Sequence, residues 1–308
     1  MNDLTLGMIP LAPPDFKSGF VAIVGRPNVG KSTLLNQLVG QKIAITSPVA
    51  QTTRHRLQGI LTTDEAQIIF IDTPGIHKPH HELGKILVNN AKKAMQLVDL
   101  ILLVVDSSVP AGKGDRYVVE LLADNSTPVI LGLNKSDLQS NPELDESYLE
   151  IAREREWETI KFSALNQLGI DKLQSILIDK LEPGPYYYPP ELVTDMPERM
   201  IMAELIREQI LHLTRQEIPH SVAIVIEKIE TTPKITRVFA AINVERKSQK
   251  GIIIGKEGSM LKAIGTAARE QIAKLIEGEV YLKLFVKVEP MWRQSQLHLG
   301  EFGYKLDK

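Results

Sequence analysis

The stretch Phe20-Val21-Ala22-Ile23-Val24-Gly25-Arg26-Pro27-Asn28-Val29-Gly30-Lys31-Ser32-Thr33 decides how the first part of this chain folds. Five apolar residues make a buried strand. The turn G-x-x-x-x-G-K-S follows, and Leu34, Leu35, Leu38 and Val39 continue at helical spacing. Strand, turn and helix in that order form a phosphate-binding loop, with Gly25 through Thr33 as candidate nucleotide contacts. Gly25 and Gly30 permit positive φ, so that successive N–H groups point into one concavity at a helix N-terminus, where the dipole also favours an anion. Lys31 supplies a compact cation for β- and γ-phosphate oxygens, and the Ser32 hydroxyl is placed to ligate Mg²⁺.

Outward from this loop, 308 residues suggest about two domains at ~100–200 residues each. A net charge of −2 conceals an asymmetry. Residues 1–196 carry 18 basic and 24 acidic side chains, giving −6, whereas 197–308 carry 18 and 14, giving +4. The second half is therefore the better nucleic-acid candidate. The absence of cysteine excludes disulfides, thiol catalysis and Cys-ligated zinc and fits a reducing compartment. Residues 1–18, with Asp3 early and Pro10, Pro13 and Pro14, read as a flexible extension and not a signal peptide. No run of ~18 or more apolar residues predicts a transmembrane helix, and a cytoplasmic protein is expected.

After the first helix, residues 41–56 form a long polar segment containing Gln51-Thr52-Thr53-Arg54-His55-Arg56, of a length that is usually functional. Leu57–Leu61 and Ala66–Ile71 read as paired strands, and the second runs into Asp72-Thr73-Pro74-Gly75-Ile76. A helix over about 82–98 precedes Leu100–Asp106, a continuous apolar run of the central parallel type. Another strand, Pro128–Leu133, ends in Asn134-Lys135-Ser136-Asp137. A short one, Thr159–Phe162, ends in Ser163-Ala164-Leu165. Alternating strands and helices predict an α/β domain with a mostly parallel, doubly wound sheet, and each polar motif falls at a strand's carboxyl end, so all line one crevice.

In that crevice the Asp137 carboxylate can accept two hydrogen bonds, from N1–H and the exocyclic amine of guanine, which adenine does not offer. Asn134 and Lys135 would brace base and phosphate loop, and the Ala164 N–H could donate to the guanine carbonyl oxygen. His77, His80 and His81 show no metal-ligand spacing.

Residues 183–196 open with Pro183-Gly184-Pro185-Tyr186-Tyr187-Tyr188-Pro189-Pro190, a semi-rigid linker. Beyond it a helix from Pro197 to about Leu213 and strands near 222–230 and 237–244 lead to Ile252-Ile253-Ile254-Gly255-Lys256-Glu257-Gly258, followed by Leu261, Lys262 and Ile264. A G-x-x-G turn between two helical stretches lets a sugar-phosphate backbone approach closely beside a groove for about four unpaired bases. Ile254, Gly255, Lys256, Glu257, Gly258 and Lys262 are the RNA candidates, although the Glu257 carboxylate repels phosphate. With a last strand near 280–288, this half resembles a type II KH domain of the α+β class. Trp292 to Tyr304 is expected as a short helix laid on its core.

The order of the nucleotide motifs resembles the translation-factor-like GTPases. One such domain over 19–182, a proline-rich linker and a KH domain over 197–308 resemble one branch closely, the Era family of bacterial GTPases. The resemblance implies that Thr53, rather than Thr52, closes over Mg²⁺, that Asp72 holds Mg²⁺ through water, and that the Gly75 N–H contacts the γ-phosphate. Lys31, Thr53 and Gly75 would then carry catalysis, with residues 41–56 and 72–84 as switches. It also implies Asn28 as a ligand for K⁺, GTP as substrate, and the 3′ end of 16S ribosomal RNA and the 30S subunit as partners, with peripheral membrane association; no coiled-coil heptads or extra apolar helix argue for more than a monomer. Many GTPases have Gln after D-x-x-G to orient the attacking water; Ile76 here predicts slow intrinsic turnover.

Overall fold

The computed structural model describes residues 9–47, 57–77, 82–123, 125–139, 141–276 and 278–302. The first domain is a six-stranded sheet, in the order β2-β3-β1-β4-β5-β6, whose members are β1 (Lys17–Val24), β2 (Leu57–Thr62), β3 (Ala66–Asp72), β4 (Leu100–Asp106), β5 (Val129–Asn134) and β6 (Glu158–Lys161). All neighbours are parallel except β2 with β3, which the short turn at 63–65 joins as an antiparallel pair. β3 and β4 are buried at every residue, because helices cover both faces.

On one face α1 (Lys31–Val39) and α5 (Ile170–Asp179) bring Leu34, Leu38, Leu173 and Leu177 against Ile23, Phe70 and Leu102. On the other, α2 (Glu82–Gln96), α3 (Lys113–Leu122) and α4 (Glu146–Arg155) bring Ala91, Met95, Val118 and Ile151 against Ala22, Leu103 and Leu131. Each of the larger of these side chains, from Val upward, contributes about 1.5–3 kcal/mol when fully buried. The carboxyl ends of β1, β3, β4 and β5 consequently meet at one edge of the sheet, where their polar residues share a crevice.

The boundary expected after residue 18 moves toward the N-terminus. β1 begins at Lys17, whose N–H donates to the Glu65 carbonyl at 3.0 Å, and Phe16 is 2% exposed beneath Tyr186, ring centroids 4.3 Å apart. The apolar run of β1 was the visible part of a strand whose polar start is paired and covered. The linker is also anchored. Gln67, wholly buried, accepts from the N–H groups of Tyr187 and Tyr188 and donates to the Tyr188 carbonyl, while Ile60 N–H donates to Val193.

The second domain has three strands, β7 (Ala223–Thr231), β8 (Ile235–Val244) and β9 (Glu279–Val288), with β7 antiparallel and β9 parallel to β8. One sheet face carries α6 (Glu198–Leu213), α8 (Lys247–Ile254) and α9 (Ser259–Ile272), whose Leu205, Ile210, Ile253, Ile264 and Ala268 pack on Val238, Ala240 and Ile242. A single turn, α7 (Ile218–Ser221), precedes β7, and the last described helix is α10 (Gln296–Glu301). Trp292 is fully buried, donates through Nε1 to the Ser221 carbonyl at 3.0 Å, and packs with Leu299 against Leu87 of α2 in the first domain. The carboxyl-terminal segment therefore joins the two domains as well as covering its own.

Gln67→Leu leaves the amides of Tyr187 and Tyr188 without their buried acceptor, so urea unfolding of the first domain is expected to lose about 2–4 kcal/mol. Limited proteolysis within 183–196 should accelerate in parallel; unchanged stability with unchanged cleavage would show that the linker is held elsewhere.

Candidate nucleotide site and RNA groove

The phosphate loop is built by backbone geometry. Gly25 has φ 155° and a Cβ there would lie 2.3 Å from the Val104 carbonyl oxygen, so only glycine lets the loop leave β1 this close to β4. Asn28 and Gly30 are also left-handed, at φ 65° and 98°, and Gly30 caps α1. Lys31 is 6% exposed and donates to the carbonyls of Gly25 and Arg26 at 3.1 and 3.0 Å, curled over the loop it belongs to. Burial pushes its ammonium down to about 8, against the pull of the nearby Asp72 carboxylate. Ser32 Oγ donates to Asp72 Oδ2 at 2.9 Å, and Asp72 is fully buried. An adjacent hydroxyl and carboxylate at the mouth of a phosphate loop are the hard oxygen donors that a small divalent cation takes.

Pro27, Asn28, Gly30, Lys31, Ser32, Thr33 and Gly75 line one cleft together with Ile45, Thr46 and Ser47. The D-x-x-G segment crosses the loop closely: a Cβ on Gly75 would meet Pro27 backbone at 2.8 Å, and Ile76 N–H donates to the Gly25 carbonyl at 3.1 Å. Ile45–Ser47, inside the segment 41–56 expected as a switch, forms a wall of the cleft, although these three residues were not singled out as contacts. Thr53 and Thr52 lie outside the described residues, as do His80 and His81, whereas His77 Nδ1 sits 3.1 Å from the Gly75 carbonyl.

Four expected contacts are engaged internally. The Arg26 guanidinium pairs with Asp115 on α3 at 2.9 Å and so turns away from the cleft; only its backbone serves the loop. Thr73 Oγ1 donates to the Ile23 carbonyl at 2.8 Å, and the Ile76 side chain is wholly buried in the core with Ala22, Val24 and Ile71, because an apolar side chain there gains more from packing than from facing phosphate. The Ala164 N–H, expected to reach guanine, donates instead to Asn134 Oδ1 at 2.9 Å. The other end of that amide, Nδ2, donates to the Val29 carbonyl at 2.8 Å. Asn134 therefore ties the phosphate loop, 105 residues before it, to the S-A-L turn, 30 residues after it.

Beside it, Lys135 takes φ 65° and its Nζ pairs with Asp106 Oδ2 at 2.7 Å. Burial alone would raise the Asp106 carboxyl, but hydrogen bonds from Lys135 and Ser108 hold it below the ordinary range. Asp106 is a positioning residue that no motif announced; its only sequence signal was an acid closing an apolar strand. Ser136 N–H donates to the Phe162 carbonyl, Ser163 is buried with its hydroxyl accepting from Asn166 N–H, and Leu165 is exposed. Among the described residues no hydrogen bond or ion pair engages the half-buried Asp137 carboxylate, which leaves both oxygens available to two donors.

In the second domain the G-x-x-G turn takes left-handed φ at Gly255, Glu257 and Gly258, 74°, 53° and 78°. Lys256 and Glu257 are exposed and Ile254 is half-buried at the end of α8. A groove of about 570 Å³ runs from Gly258 along Leu261, Lys262 and Arg269 of α9, with Leu282, Lys283 and Leu284 of β9 opposite. The β9 wall and Arg269 were not legible in sequence, since groove and turn are far apart along the chain. Among the described residues β9 pairs only with β8, so its other backbone edge faces this groove.

A family model described as 50S ribosome-binding GTPase matches residues 20–135, and one described as KH domain matches residues 217–293. A GTPase Era from Rippkaea orientalis is 74% identical over 309 residues, taking in 100% of this chain and 98% of that protein. The chain belongs to the Era family of GTPases. An Era from a Synechocystis strain is 67% identical, covering 99% and 98% of the two chains. Two solved structures, an Era in complex with MgGDPNP and nucleotides 1506–1542 of 16S ribosomal RNA and a variant of Aquifex aeolicus Era bound to GDP and AlF4⁻, each match with a TM-score of 0.91 and 39% identity over 94% of this chain and 100% of theirs. A match of that extent spans both domains, so their relative placement here is the one in those nucleotide-bound Era proteins. The chain is thus a GTPase with a carboxyl-terminal KH domain.

Asp137→Asn replaces an acceptor with a donor opposite the guanine amine. GDP affinity is expected to fall about 100-fold while xanthosine diphosphate, which carries a carbonyl there, tightens. Equal loss of both ligands in a calorimetric titration would place the base elsewhere.

Proposed function

We propose that this Era-family GTPase is a GTP-gated clamp on the single-stranded 3′ end of 16S ribosomal RNA, working as a monomer in 30S subunit assembly and maturation of that RNA. The observation that carries the reading is a segment shared by both domains. Ile45, Thr46 and Ser47 line the phosphate cleft, yet the Ile45 side chain is buried in the KH core with Met202 and Leu205, and Thr46 N–H donates to Glu208 Oε1 on α6 at 2.9 Å. Lys42 Nζ pairs with the other oxygen of Glu208 at 2.6 Å. Whatever settles against this wall of the cleft bears on the helix that packs against α9 and its groove.

GTP is the substrate. Ser32 and Asp72, with Thr53, would hold Mg²⁺, which when bound neutralises charge on the β- and γ-phosphate oxygens. Lys31, released from the Gly25 and Arg26 carbonyls, turns to the same oxygens, and the Gly75 N–H meets the γ-phosphate. Asp137 reads guanine, with Lys135 and Leu165 flanking the base. No Gln follows Gly75, and Ile76 is committed to the core, so intrinsic hydrolysis is slow; Asn28, at the cleft, would hold K⁺ in place of a trans-acting arginine. The KH contacts are Ile254, Gly255, Lys256, Gly258 and Lys262, with Glu257 tempering affinity. Among the described residues no helix is long and apolar enough to cross a membrane, so membrane association would be peripheral.

GTP hydrolysis by the purified chain in potassium buffer is expected to rise several-fold with an oligonucleotide copying the 3′ end of 16S ribosomal RNA, and to lose that rise in Gly255→Asp/Gly258→Asp. Sodium in place of potassium should slow both rates. Hydrolysis indifferent to RNA would leave two tethered modules, and equal rates in the two salts would remove the role given to Asn28.

A further inference from the structure

The KH sheet has a second face, turned away from α6 and α9. Along β9 the exposed positions alternate as Tyr281, Lys283, Phe285 and Lys287, with Tyr281 46% and Phe285 37% exposed. On β8 the residues in register with Tyr281 and Lys283 are Arg237 and Phe239, which lie on the same face. Tyr281 and Phe239 meet edge to face with centroids 6.5 Å apart, and Lys283 Nζ lies 5.2 Å from the centre of the Phe285 ring. Exposed large aromatics are costly to leave in water, and elsewhere in the second domain Trp292 and Phe302 are packed against neighbouring side chains.

We infer that Tyr281, Phe285 and Phe239 form a stacking platform for single-stranded RNA that continues out of the KH groove around β9. The inference rests on the KH groove being the primary RNA site. Continuity is the first argument: Lys283 lines the groove together with Leu282 and Leu284 and also lies over Phe285 on the outer face, so a strand leaving the groove passes from one surface to the other along a single β-strand. Chemistry is the second. Aromatic rings interleaved with Arg237, Lys283 and Lys287 offer π-faces to bases and cations to phosphates, the combination by which single strands are held without regard to base identity. Glu227 pairs with Lys287, Glu279 lies at one end of β9, and Glu230 of β7, in register with Arg237, pairs with Lys228, while among the described residues no ion pair engages Lys283.

The test is binding of the full chain to fluorescein-labelled single-stranded RNA of four and of ten nucleotides, both copying the 3′ end of 16S ribosomal RNA, by fluorescence anisotropy. Wild type is expected to bind the ten-nucleotide strand more tightly. Tyr281→Ala/Phe285→Ala should lose about ten-fold on the long strand while binding the four-nucleotide strand as wild type does, which also shows that the variant folds. Tyr281→Phe should keep the gain. Equal affinity of wild type and the double variant for the long strand overturns the platform. So does concentration-dependent dimerisation by light scattering that the double variant abolishes, since the face would then serve a second copy of the chain. If the four-nucleotide strand fails to bind wild type, or binds Gly255→Asp equally, the KH groove reading itself fails and the platform falls with it.

Discussion

A glutamate 2% exposed, with one oxygen on a backbone N–H and the other on an ammonium, is the constraint on which the two-domain arrangement depends. Burying the Glu208 carboxylate is unfavourable unless both oxygens are satisfied. Apart from Gln209 Nε2, 3.4 Å from one oxygen, its partners come from residues 42–46 of the other domain, so the carboxylate is fully satisfied only when that segment is in place. Ile45 adds an apolar anchor in the same core. A second joint, Leu87 of α2 against Trp292 and Leu299, fixes the other flank. The start of the first expected switch, through Lys42, Ile45 and Thr46, and the helix that runs on from the second, through Leu87, are thereby each tied to the KH domain.

Within the nucleotide domain, preorganisation has a different source. Asn134 spends its amide on Val29 and Ala164, Lys135 is braced by Asp106, and the loop is bent by residues that accept positive φ. These bonds fix the phosphate loop, the N-K-x-D turn and the S-A-L turn relative to one another. Lys31 is the exception. It is buried over the loop's own carbonyls, and that burial is what lowers its proton affinity.

What was legible in the sequence was local. The phosphate loop, the D-x-x-G and N-K-x-D turns and the G-x-x-G turn are each a few consecutive residues at the end of a strand or between helices, and the structure places them there. What was not legible depends on pairs far apart. Thr46 and Glu208 are separated by 162 residues, and neither lies in a motif. The wall of the RNA groove comes from β9, whose alternation announced a half-buried strand but not which side would matter. The internal partners of Arg26 and Ala164 were hidden for a related reason: both stand in nucleotide motifs, and the neighbour that engages each, Asp115 or Asn134, comes from across the fold.

The most direct test of the coupling is the affinity of the 3′-terminal RNA for the chain loaded with a non-hydrolysable GTP analogue and with GDP, measured in wild type and in Glu208→Ala. The clamp predicts tighter RNA binding with the analogue in wild type, the same factor by which RNA tightens the analogue, and a ratio near one in the variant with RNA binding itself retained. RNA affinity that is equal with both nucleotides in wild type would contradict it.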